Sequence, residues 1–157
     1  MILPAQTIRR LGILDPCCER TRYNGVTHGL GPAGYDLRLA ETITLWPGHS
    51  VLVDAIERFN MPDDVIGFLY SKSTWARRHI EQAGTVIEPG WRGVLRLEIS
   101  MHAGIEPVTI RSGTGICQVV FMRLESPTEQ PYSGRYQDQG VRQDAIFFPV
   151  LPWDQET

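Results

Sequence analysis

Short apolar runs rich in β-branched residues recur along this chain, and turn residues separate them. The runs are TITL at 42–45, SVLVDA at 50–55, IGFLY at 66–70, TVIE at 85–88, VLRLEISM at 94–101, PVTI at 107–110 and ICQVVFMRL at 116–124. Trp46-Pro47-Gly48, Glu88-Pro89-Gly90 and Arg111-Ser112-Gly113 punctuate them. Segments this short suit strands better than helices, so the spacing predicts an all-β sandwich or barrel with one or two short helices. Helix is predicted only over 4–12 and from Ser73 to about Ile80, with Ser73 or Thr74 as N-cap. From about Ser126 onward Pro, Gln, Tyr, Asp and Gly dominate, so 126–157 reads as the irregular tail of one domain spanning 1–157.

With 157 residues, 42% hydrophobic and 21% charged, the chain is long enough to bury a core without covalent staples. Its three cysteines, Cys17, Cys18 and Cys117, are odd in number and two are adjacent, which predicts free thiols. No apolar run approaches the ~20 residues of a membrane span. The opening MILPAQTIRR lacks the apolar stretch of a secretion signal, so a cytoplasmic protein without a membrane partner is expected. A net charge of −3 provides no global field for a polymeric nucleic acid. Fourteen of the fifteen cationic residues are arginine, and the only lysine is Lys72.

His28, His49, His79 and His102 show no metal-ligand spacing with the cysteines, and the His-x-Glu…Pro-Cys-x-x-Cys pattern of zinc-dependent nucleobase deaminases is missing. A deaminase built on this chain has to activate water without zinc. No Walker loop occurs, and GLGPAG at 29–34 reads as a tight loop feeding a strand. Chemistry concentrates instead in residues 67–100. Lys72, Ser73, Thr74 and Arg77 fall within about one turn of predicted helix, an arrangement that suits a polyphosphate and equally a solvated surface helix. Strand alternation puts Glu98 on the face of Arg96, opposite Leu95 and Leu97. Such an acid ordinarily faces water. If its face lines a pocket, desolvation raises its pKa toward the range useful for moving protons at neutral pH.

Five segments in order, GYDLRLA (34–40), SKSTWAR (71–77), IEPGWRGVLRLE (87–98), GICQVVF (115–121) and YSGRYQDQG (132–140), resemble the dCTP deaminase family of the dUTPase-like superfamily. The resemblance runs from about Gly34 to Ile146. It implies a distorted β-barrel or jelly-roll protomer of the dUTPase-like type and a homotrimer with active sites between subunits. It also implies a deoxycytidine or deoxyuridine triphosphate substrate accompanied by Mg²⁺, which is held through the phosphates and not by protein ligands.

By the same resemblance Glu98 matches the proton shuttle, and Ser73 and Arg77 match residues holding the attacking water and the ring. Lys72, Ser73 and Thr74 match a phosphate-gripping turn. Glu88 stands where the family places an acid against the 3′-hydroxyl, and the backbone beside Trp91 where ribose is excluded. Gln118, Tyr132, Arg135 and Gln139 match phosphate contacts, with the tail closing over the nucleotide; Arg96 completes the substrate-binding set. Glu98 favours deamination, because dUTPases resemble this chain elsewhere but carry an apolar residue at that position. Glu88 replaces the usual Asp, Lys72 the usual Arg, and the stretch from Arg77 to Trp91 is about two residues shorter than in familiar deaminases. Since AGTVI at 83–87 also resembles a dUTPase run, a bifunctional enzyme, a nucleotide pyrophosphatase and a non-catalytic regulatory trimer stay open alternatives.

Overall fold

A computed structural model describes residues 1–141 and the backbone of Ile146–Pro149. Helix α1 (Ala5–Leu11) leads into strands β1 (Leu14–Asp15), β2 (Thr21–Tyr23), β3 (Val26–Gly31), β4 (Gly34–Arg38), β5 (Ile43–Leu45), β6 (His49–Asn60) and β7 (Val65–Ser71). Helix α2 (Ser73–Ala76) follows, then β8 (Ile80–Gln82), β9 (Val86–Ile87), β10 (Arg92–Met101), β11 (Val108–Ile110), β12 (Gly115–Arg123) and β13 (Ile146–Pro149). The protein is mainly β, as the run lengths predict, with two helices and thirteen strands among the described residues.

One sheet has the order β2-β3-β4-β12-β7-β9 and another β1-β6-β10-β8, with β13 also on β6; β11 and β5 form a separate pair. Among the described residues none of these sheets closes on itself. The expected barrel is therefore realised as open antiparallel sheets facing one another across shared apolar side chains. Burial follows the pleat, with Leu95, Leu97 and Ile99 of β10 buried and Glu98 exposed between them. Phe59 of β6 and Phe121 of β12, both fully buried, meet with ring centroids 6.3 Å apart and join the two large sheets. Burying one such ring stabilises the fold by roughly 1.5–3 kcal/mol.

Several expectations are corrected. The helix from Ser73 ends at Ala76 because His79 adopts φ 60° and Ile80 enters the sheet opposite Met101. Its N-cap is Lys72, not Ser73 or Thr74, and no side chain caps it. GLGPAG is not one loop, since Gly29-Leu30-Gly31 end β3, whose hairpin with β2 closes at Asn24-Gly25, both with positive φ, the geometry of a two-residue type I′ turn. The tail is not wholly irregular, since β13 pairs with β6. All three cysteines are free; burial raises the thiol pKa of Cys17 and, far more, that of Cys117. No helix among the described residues is long and apolar enough to cross a membrane.

Candidate active site

Two cavities collect most of the residues that the sequence singles out, and they share no lining residue. The first, about 310 Å³, is built where β3, β4, β12 and β7 lie side by side. In register across these strands stand Gly29, Asp36, Gln118 and Tyr70. Lys72, Ser73 and Gln118 line it with Arg20, Thr27 and Asp36. Buried Trp75 anchors α2 through Nε1, which donates to the Gly115 carbonyl at 2.8 Å, and this fixes the turn that carries Lys72. The Lys72 ammonium is ion-paired with Asp36 Oδ2 and donates to Thr27 Oγ1 at 3.0 Å. Only 13% of either charged side chain is exposed, whereas Asp36 Oδ1 is buried with no partner among the described residues.

The second cavity, about 460 Å³, lies between β10, the loop from Gln82 to Glu88, and the tail. Glu88, Trp91, Arg96, Glu98, Tyr132 and Gln139 all line it. Arg96 is held by its cross-strand partner Asp54, Nε to Oδ1 2.9 Å, with Asp54 fully buried at its side. Trp91 is buried against Phe59, and its Nε1 donates to the Tyr136 carbonyl at 2.7 Å. That bond belongs to a strap, residues 132–140, laid along the start of β10. Tyr132 N donates to Pro89 O, Asp138 N to Arg92 O and Val94 N to Gln139 O, at 2.8–2.9 Å. Arg92 grips Asp138 with two hydrogen bonds of 3.1 Å, and Arg58 approaches from the other side. The Arg92 hydrogen bond holds the Asp138 carboxyl below its ordinary pKa.

Glu98 lines this cavity, and its side chain is exposed. Its neighbour on β6 is Leu52, and the described residues leave the Glu98 side chain without the dehydration expected around it. Gln139, expected at phosphates, lines this cavity, and its Nε2 donates to Val94 O at 2.9 Å. Thr74, Arg77 and Arg135 are exposed and line neither cavity.

The sequence did not single out Gln82, which lines the Glu98 cavity while buried, with Nε2 donating to Ala83 O and Oε1 unpartnered among the described residues. Its backbone exchanges two 3.0 Å bonds with Ser71 Oγ, and Ser71 lines the other cavity, so the two cavities adjoin at this pair. Arg20, Thr27 and Asp36 were also missed as site residues. Asp36 sits inside the GYDLRLA motif, whereas Arg20 and Thr27 carry no local signal and become visible only through strand pairing. Among the described residues no three His, Cys, Asp or Glu side chains cluster as metal ligands.

Residues 35–124 match the family model described as dCTP deaminase-like. The chain belongs to that family. A dCTP deaminase of Pyrococcus horikoshii is 34% identical over 152 residues, 87% of this chain and 92% of the relative. A dCTP deaminase of Gluconobacter oxydans is 30% identical over 175 residues, 93% of this chain and 94% of the relative. Among solved structures, the Agrobacterium tumefaciens 2′-deoxycytidine 5′-triphosphate deaminase superposes with a TM-score of 0.63 at 22% identity, covering 76% of this chain. This chain spans about half of that one, 47%. A dUTPase of the S. aureus phage phi11 gives 0.55 at 20% identity, covering 76% of this chain and 92% of the other. At these identities both superpositions speak for the fold alone. The fold described above is thus similar to that of a dCTP deaminase and of a dUTPase.

Proposed function

We propose that this protein deaminates dCTP hydrolytically to dUTP and ammonia, without zinc, using Glu98 as the proton shuttle. The observation that carries the reading is the convergence of Glu98, Glu88, Trp91 and Arg96 with the tail residues Tyr132 and Gln139 on one cavity, in a chain of the dCTP deaminase-like family. Water adds to C4 of cytosine as Glu98 removes its proton and passes it to N3. The C4–N bond then breaks, and Glu98 delivers the second proton of the added water to the departing amine. One carboxylate serves every transfer, accepting each proton and then delivering it.

The remaining roles follow the division between the cavities. Lys72, Ser73, Thr74 and Gln118 hold the phosphates, joined by Arg135 and Tyr132 from the tail. Glu88 meets the 3′-hydroxyl, the backbone at Trp91 crowds the 2′ carbon, and Ser73 with Arg77 orients the water and ring. Because Glu98 is uncovered, and Arg77 and Thr74 line neither cavity, we assign the complete site to a homotrimer. There the Glu98 cavity of one subunit faces the Lys72 turn of another, and the nucleotide and second subunit dehydrate Glu98. Magnesium accompanies the triphosphate as its counter-ion. The residue that fits a hydrated cation is Asp36, through its unpartnered Oδ1 beside the phosphate cavity.

Incubation with dCTP and Mg²⁺ tests the proposal: ammonia and intact dUTP are expected, and unchanged dCTP counts against it. A second reading, bifunctional or dUTPase-like hydrolysis, is favoured by the AGTVI stretch, whose residues all line the Glu98 cavity. It gives pyrophosphate and a monophosphate in the same assay.

A further inference from the structure

We propose that Arg20, on the segment entering the β2–β3 hairpin, supplies the uncompensated positive charge that the phosphate-side cavity presents to a triphosphate. The inference rests on the proposed nucleotide reading and assigns it an additional binding residue. Three charged side chains line this cavity: Arg20, Asp36 and Lys72. Lys72 and Asp36 are already paired, so their charges cancel at short range. Arg20, by contrast, has no ion pair or side-chain hydrogen bond among the described residues, while nearby Arg9 is spent on Glu19 through bonds of 2.7 and 2.8 Å. An approaching polyphosphate therefore meets one free guanidinium, a planar donor suited to gripping two phosphate oxygens at once.

The backbone holds Arg20 in place even though its side chain is free. Leu30 N donates to Cys18 O at 3.0 Å, and Thr21 Oγ1 donates to Glu19 O at 3.2 Å. Gly29 has φ 86°, and a Cβ there would lie 2.4 Å from the Glu19 carbonyl oxygen, so the segment leading to Arg20 packs flush on β3. Gly29 and Gly31 line the same cavity, and neither carries a side chain to compete with the guanidinium.

The test pairs Arg20→Ala with Arg20→Lys and with Arg22→Ala, which removes an equal charge from a residue lining neither cavity. Inorganic tripolyphosphate binding is measured by calorimetry at low and moderate salt, and dCTP turnover in parallel. We expect Arg20→Ala to weaken tripolyphosphate binding and raise KM for dCTP by about tenfold, with kcat within about twofold of wild type. Arg20→Lys should recover part of the loss, and Arg22→Ala should match wild type. Equal affinity and KM in Arg20→Ala and wild type overturn the role of Arg20 and leave deamination standing. A wild-type chain that binds tripolyphosphate through Arg20 yet never converts dCTP supports Arg20 and refutes the deaminase reading. Equal losses in Arg20→Ala and Arg22→Ala overturn the local contact in favour of a general charge effect.

Discussion

Glu98 and Glu57 show how one residue type is set in opposite surroundings by the same fold. Glu98 stands on an exposed strand face at a cavity lip, free to exchange protons once covered. Glu98→Gln keeps the shape and removes the proton acceptor, so turnover should fall by at least ~10²-fold while dCTP binding survives. Steady-state ammonia release with direct binding checks this; near-normal kcat contradicts the shuttle. Glu57 is fully buried between the sheets and accepts from Tyr35 Oη at 3.2 Å, Arg38 N at 3.0 Å and Arg38 Nε at 2.7 Å. Burial, reinforced by this carboxylate, drives the Tyr35 phenol above its ordinary pKa. Removing the acid leaves Arg38 and Tyr35 without their acceptor, so Glu57→Ala should cost about 3–5 kcal/mol, read as a lowered urea midpoint.

The strap and the strand beneath it make a unit whose stability bears on the site, because it seats Tyr132 and Gln139 in the Glu98 cavity. Gly93 lies under it at φ 155°, and a Cβ there would meet the Trp91 ring at 2.8 Å and Gln139 N at 3.0 Å. Gly93→Ala should therefore destabilise the fold by about 1–3 kcal/mol and speed amide exchange across 132–140 more than across β6. Asp138 adds a pH dependence. Its folded pKa is lowered by Arg92, so its contribution is complete above the unfolded value near 3.8 and disappears as pH falls through the lower folded value. Proteolysis of the strap should accelerate only in that acid range, and Asp138→Asn should show the same loosening at neutral pH.

The strands around this unit were legible because apolar alternation and turn residues act locally: β10 and β12 fall within a few residues of the runs that predict them. The β2–β3 hairpin was missed although Asn24-Gly25 is a hairpin signal, since its flanks TRY and VTHGLG lack a continuous apolar run. The early end of α2 was hidden too, because the sheet claims Ile80 through Met101, more than twenty residues away. For the site, motif order gathered Glu88, Trp91, Arg96 and Glu98, which share one strand and its approach. Gln82 and Arg20 depend on neighbours remote in sequence and left no pattern to read.

At the scale of the molecule, the proposed homotrimer decides how activity should respond to mixing subunits. If Glu98 comes from one subunit and Arg77 from another, two inactive variants, Glu98→Gln and Arg77→Ala, should regain turnover when unfolded and refolded together. The double variant should regain none. Sedimentation of wild type should give three chain masses, and a single-chain mass with full activity contradicts the shared site. The Lys72–Asp36 pair has a practical corollary, because the chain has no other lysine. Apart from the amino terminus, amine-directed reductive methylation has one target among the side chains, Lys72 in the lining of the Asp36 cavity, so the rate of labelling there amounts to a built-in gauge of occupancy by any anion.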